Sequence, residues 1–193
     1  GGNAARNVLR AGFDLVVHDV RPDAVQALVD AGATPATSPA DLLDRCDVAL
    51  SMVFGPREIE QVVRGPGGFL TTDCSGKYWA DLTTSSPPLM RALAAAFHTA
   101  GGAAVDAPVT GSVDAAIRGD MPLFVGGEDG DVEVVRPVLE AVGQIRRVGR
   151  YGNGYVAKLV NNQLWKIHAA AIGEAIRRVA RRYLNGRARL ANL

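Results

Sequence analysis

Lys158 and Asn162 stand four residues apart in the segment Gly152-Asn153-Gly154-Tyr155-Val156-Ala157-Lys158-Leu159-Val160-Asn161-Asn162. On a helix that spacing puts both side chains on one face. An ammonium can donate or accept a proton at an alcohol or carbonyl oxygen, and an amide beside it can orient the same substrate. The pair therefore reads as an acid/base site, against the plainer alternative of a solvated lysine and surface amides. Val156, Leu159, Val160 and Leu164 give this helix a broad apolar surface suited to a core. A lysine next to such a surface is partly desolvated, which lowers its pKa.

Composition narrows the classes. The chain has 193 residues, 48% of them hydrophobic, with 21 basic and 20 acidic side chains, enough for a full core and without a charge bias toward nucleic acid or membrane. No run approaches 18 apolar residues, and the first residues lack the pattern of a secretory signal. A soluble, cytoplasmic protein is expected. Cys46 and Cys74 are isolated, and His18, His98 and His168 are scattered, so no metal site is expected. After Glu174 come Arg177, Arg178, Arg181, Arg182, Arg187 and Arg189 without an acid between them. That tail reads as a basic patch, as a helix end running into disordered sequence, or as a shifted reading frame.

The elements that must position the lysine alternate between short β-rich runs and helical stretches, the pattern of a mostly parallel sheet wrapped by helices. Strands are expected at 15–18, 48–53, 78–82, 104–106, 123–125 and 145–148. Helices are expected at 3–11, 22–31, 39–44, 57–63, 88–100, 113–117 and 132–142, followed by one long helix over 154–183. Ser38 and Ser86 stand before prolines as caps. Residues 1–152 form one α/β domain in this reading, and 153–193 a long helix with its Arg-rich tail.

Gly1-Gly2-Asn3-Ala4-Ala5-Arg6 enters a helix directly, whereas a doubly wound nucleotide-binding domain opens with a strand and G-x-G-x-x-G. Gly1 fits the third of those glycines, so the expected fold is a Rossmann-like sheet lacking its first strand. Asp19 ends the next apolar strand, where a carboxylate reaches both hydroxyls of an adenosine ribose and repels a 2′-phosphate. NAD is favoured on this feature over NADP, although Arg21 keeps a phosphate partner open.

Four motifs in order resemble the β-hydroxyacid dehydrogenase family, which includes 3-hydroxyisobutyrate dehydrogenases and tartronate semialdehyde reductases. They are the glycine-entry helix ending Ala11-Gly12, the run Asp81-Leu82-Thr83-Thr84-Ser85-Ser86-Pro87, the run Asp106-Ala107-Pro108-Val109-Thr110-Gly111-Ser112, and residues 152–162. The resemblance covers residues 1–176. It implies that Lys158 is the acid/base lysine and Asn162 a substrate-binding amide. It further implies that Thr110, Gly111 and Ser112 grip the substrate carboxylate through hydroxyl and backbone N–H donors. Thr84 is expected beside the nicotinamide, with Val53 and Phe54 lining the cofactor. The substrate expected is a small β-hydroxyacid, in a homo-oligomer.

The chain departs from the family in three places. Thr110-Gly111-Ser112 stands where Ser-Gly-Gly is usual, so Ser112 adds a side chain where close backbone approach is expected. Phe54 replaces a proline. Family-like sequence ends near Ile176, so the helical C-terminal domain is expected to be absent and this chain to be an inactive fragment. Two alternatives stand beside the dehydrogenase: a non-catalytic dinucleotide-binding or interaction module, whose relatives replace the lysine, and an imine-reducing enzyme with another residue there.

Overall fold

The computed structural model describes residues 1–184. They form two compact units, Gly1–Lys158 and a second from Leu159 onward.

In the first unit, helix α1 (Gly2–Arg10) leads into β1 (Val16–Val17), α2 (Pro22–Val29), β2 (Thr34–Pro35), α3 (Pro39–Asp44), β3 (Val48–Ser51) and α4 (Pro56–Arg64). A short 3-10 turn, Phe69–Thr71, precedes β4 (Tyr78–Asp81), α5 (Pro87–Thr99), β5 (Ala103–Asp106), α6 (Val113–Arg118), β6 (Met121–Gly126), α7 (Asp129–Val142) and β7 (Gly143–Gly149). Helix α8 (Asn153–Val179) follows, ending in a π-helical turn, Ala180–Leu184.

Every expected strand and helix is present within a few residues of its expected bounds. The two-residue β2 and the 3-10 turn were not foreseen, being too short to carry a periodic pattern. Ser38 accepts from the Asp41 amide as a cap. Ser86 occupies the N-cap position of α5 without a side-chain cap bond. Prolines at Pro87 and Pro88 set that helix start instead.

Among the described residues the strands fall into two sheets, β1-β2 and β3-β4-β5-β6-β7. All pairs are parallel except β5 with β6. In a doubly wound sheet the opening strand lies between the second and fourth strands in sequence. The free edges of β1 and β3 match that gap, as expected for a Rossmann-like sheet without its first strand.

Alternation along the strands feeds two core layers. Ala80, Leu82 and Val105 pack against α1, α6 and α7 through Ala4, Val8, Ala115, Val135 and Leu139. Trp79 and Ala104 face the other way, onto Leu43, Ile59, Leu93 and Phe97 from α3, α4 and α5. Trp79, Phe69 and Phe97 meet with ring centroids about 6 Å apart in edge and tilted geometries, the arrangement aromatic quadrupoles favour. Both cysteines are free, and burial pushes the Cys46 thiol up to about 11, so it is unreactive at neutral pH.

The second unit carries α8 past Lys158. Val160, Leu164, Trp165, Ile167, Ile172 and Ile176 are exposed there. Arg177 and Arg178 of the basic tail pair with Glu174 at 2.6 and 2.9 Å; Arg187 and Arg189 lie outside the described residues. No helix among the described residues is long and apolar enough to cross a membrane.

Candidate active site

The carboxyl ends of the parallel strands bring buried polar side chains together. Ser51, Asp81 and Asp106 are in register across β3, β4 and β5, so their side chains leave one face of the sheet side by side. Asp81 is fully buried. It accepts from Ser51 Oγ at 2.5 Å and from the Tyr155 phenol at 2.9 Å, while the Trp79 indole donates to Ser51 Oγ at 2.8 Å. Burial pushes the Asp81 carboxyl up to about 6 against the pull of Ser51, Thr83 and Tyr155.

Asp106, also fully buried, accepts from the Gly152 amide and from the Tyr155 amide, each at 3.0 Å, with the Gly154 amide as a further donor. These N–H groups open α8 and have no partner within the helix itself. The carboxylate thus caps the helix that carries the lysine. Burial again raises it to about 6, with the three amides pulling the other way. A Cβ on Gly154 would fall 2.6 Å from Asp106 Oδ2, so only glycine admits this approach.

Lys158 follows one turn later and is 8% exposed. Burial lowers its ammonium from the ordinary lysine range, since desolvation disfavours the charged form. Its side chain lines a cleft of about 470 Å³ together with Gly1, Gly2, Asn3, Arg6, Met52, Thr110, Gly111 and Ser112. Three remote stretches of sequence therefore meet here: the start of α1, the loop after β5 and the start of α8.

The loop is fixed from both sides. Thr110 donates its amide to the Pro122 carbonyl at 2.9 Å, and Val109 bridges Leu123 of β6. Gly111 has φ +112, a conformation that L side chains rarely adopt. Ser112 is extended, at φ −104, and its hydroxyl accepts from the Ala115 amide at 3.2 Å to cap α6. The side chain that departs from the family pattern thus works as a helix cap and creates no backbone strain.

The α1 end of the cleft suits an anion. Gly1 is the N-cap, with no side-chain cap bond and no acid in the first turn, so the first amides face the cleft with the positive end of the helix dipole. Arg6 adds a cation. Asp19 lies after β1, 40% exposed at its side chain, and accepts from the Arg21 amide at 2.9 Å and from the Arg21 guanidinium at 3.4 Å. Slight burial raises its carboxyl, and the bonds to Arg21 outweigh this to leave it below the usual range. It is ionised at neutral pH.

The other expected site residues lie outside the cleft lining. Thr84 is exposed after β4, while its neighbour Thr83 is buried and accepts from the Val53 amide at 3.2 Å. Val53 packs into the core on the α4 and α5 side, and Met52, one residue earlier and facing the opposite way, lines the cleft. Phe54 is 95% exposed. Asn162 lies in the second unit, half-buried on α8.

Arg6 and Met52 stand in no motif that marks them in the sequence, and Asp81 and Asp106 open two of the motifs without a role that residue type alone gives them. Their signal was available. Each is an acid ending an otherwise apolar strand, a position that burial makes unfavourable unless donors await it.

Residues 1–154 match the family model described as the NAD binding domain of 6-phosphogluconate dehydrogenase. The chain is 34% identical over 178 residues to the L-threonate dehydrogenase of Cupriavidus necator, covering 91% of this chain and 60% of that one. The chain belongs to the β-hydroxyacid dehydrogenase family. A second family member, the NAD-dependent L-serine dehydrogenase of Pseudomonas aeruginosa, is 36% identical over 177 residues, covering 91% of this chain and 59% of that protein. Among solved structures, 3-hydroxyisobutyrate dehydrogenase from Salmonella typhimurium superimposes with a TM-score of 0.85 at 28% identity, over 95% of this chain and 65% of that one. The chain spans about three fifths of the length of these curated relatives. The family match makes residues 1–154 an NAD-binding domain.

Proposed function

We propose that this chain is the cofactor-binding and proton-relay part of an enzyme that oxidises a small β-hydroxyacid with NAD, or runs the reverse reduction. One observation carries the reading: Lys158, the Thr110–Ser112 loop and the amides opening α1 line a single cleft.

The residues fit the dinucleotide. The uncapped amides opening α1 at Gly2 and Asn3, with Arg6, suit its pyrophosphate, and Asp19 suits the adenosine ribose hydroxyls. Held there, NAD would supply the hydride acceptor for the carbinol carbon. Lys158, biased toward its neutral amine by burial, takes the hydroxyl proton as the carbonyl forms and returns it in the reverse direction. Thr110 and the amides of Gly111 and Ser112 hold the substrate carboxylate, and Asn162 orients the hydroxyl end. Thr84, Val53 and Phe54 complete the cofactor wall in this reading.

Several features support the wider assignment. The relatives are named for the hydroxyacids L-threonate and L-serine, and the anion-favouring cleft suits a substrate of that class. The balanced charge of the chain supports a small-molecule ligand over nucleic acid or membrane, in the cytoplasm. The apolar residues exposed on α8 support a homo-oligomer.

The test is a panel of β-hydroxyacids and cyclic imines with NAD(H) and NADP(H), on an intact enzyme containing residues 1–193. NAD-dependent oxidation of a hydroxyacid is expected. Reduction of imines alone, or dinucleotide binding without turnover of any member, would reject it.

A further inference from the structure

We infer that Asp106 and Asp81 are positioning residues for Lys158, Asp106 clamping the first-turn amides of α8 and Asp81 clamping the Tyr155 phenol. The inference rests on the role of Lys158 given above and names what holds that residue in place.

The two clamps act on different degrees of freedom. Asp106 takes the Gly152 and Tyr155 amides at 3.0 Å, which fixes where the helix begins along its axis. Tyr155, 1% exposed, reaches past this point to Asp81 Oδ2 at 2.9 Å, which fixes rotation about that axis. Tyr151 packs edge-on against the Tyr155 ring, at 6.0 Å and 74°, and donates to the Met90 carbonyl at 3.3 Å. Lys158 sits three residues after Tyr155, on the adjoining helix face. A misplacement of about 1 Å at a reacting group is worth about a hundredfold in rate.

Asp106 has a second connection. It ends β5, and the chain continues through Ala107, Pro108 and Val109 into Thr110. The strand that delivers the loop thus also clamps the lysine helix, so the two halves of the cleft are set against each other by one carboxylate. Burial lowers the Lys158 ammonium, and the two aspartates act on it through the helix they hold rather than as charge partners.

That distinction gives a test by sign. In the 193-residue chain, the pH dependence of amine acylation is followed at Lys158 by mass spectrometry, with exposed Lys166 as the reagent standard. Removing a nearby negative charge would move the Lys158 midpoint down. Releasing the helix start lets the ammonium reach water and moves it up. Asp106→Asn and Tyr155→Phe are therefore expected to shift the midpoint upward. Leu139→Ala, which empties part of the core on the opposite sheet face, is expected to lower stability without a shift. Where Asp106→Asn does not fold, Tyr155→Phe decides. An unmoved or lowered midpoint in Tyr155→Phe, or a shift in Leu139→Ala, overturns the proposal. Because the readout is the titration of Lys158 and not turnover, an enzyme without hydroxyacid activity would reject the functional reading and leave this result standing.

Discussion

Replacing Asp81 with Asn should flatten the pH dependence of folding stability. In the folded chain burial lifts Asp81 from 3.8 to about 6, so the native state holds that proton more tightly than the unfolded one. The stability it contributes is fully present below pH 3.8 and is lost as pH rises through about 6. At about 1.4 kcal/mol per pH unit the interval amounts to about 3 kcal/mol, of which about 2 kcal/mol falls between pH 4.5 and 7.5. The amide cannot ionise, so Asp81→Asn should remove that part of the slope. It also turns a donor toward the Tyr155 phenol, which lowers stability by about 1–3 kcal/mol at every pH and leaves the slope alone. Exposed acids held below their usual range, such as Asp41 and Asp73, contribute equally to both proteins and cancel. Urea unfolding at the two pH values, for wild type and variant, gives the difference of differences. An identical pH dependence in the two proteins would mean that Asp81 does not carry a raised folded-state pKa.

Two further outcomes follow from the same geometry. Ser112→Ala removes the cap on α6 and should lower stability by about 1 kcal/mol in thermal or urea unfolding, while Ser112→Gly should lower it by only a few tenths. Asp19→Ala should weaken NAD binding by about tenfold, the equivalent of about 1.4 kcal/mol, and narrow the preference for NAD over NADP, as read by calorimetric titration of each dinucleotide.

The architecture was legible because its period-2 and period-3.6 patterns are strong. Trp79 and Ala80 go to opposite core layers as alternation requires, and Pro39, Pro87 and Pro56 mark helix starts. The bounds of α7 were less clear. The helix begins at Asp129, three residues before its first apolar position, because the acids Asp129 and Asp131 suit the dipole of its first turn. Lys158 could be named from its residue type and spacing, and the Thr110–Ser112 loop from the family resemblance, but the reason they meet could not. The meeting depends on the register that places Ser51, Asp81 and Asp106 in one row, and register is a property of pairing between strands. Ser112 shows the same limit. Its side chain reads as a departure from a glycine-rich loop until the extended backbone and the Ala115 amide give it a capping role.

The proposed mechanism turns on Lys158 relaying the substrate proton. NADH formation from a β-hydroxyacid, measured for Lys158→Ala and wild type in an intact enzyme containing residues 1–193, is the decisive measurement. Loss of general acid–base catalysis is worth about a hundredfold or more in turnover, so a loss of that size is expected, with NAD binding retained. Near-normal turnover in the alanine variant would contradict it.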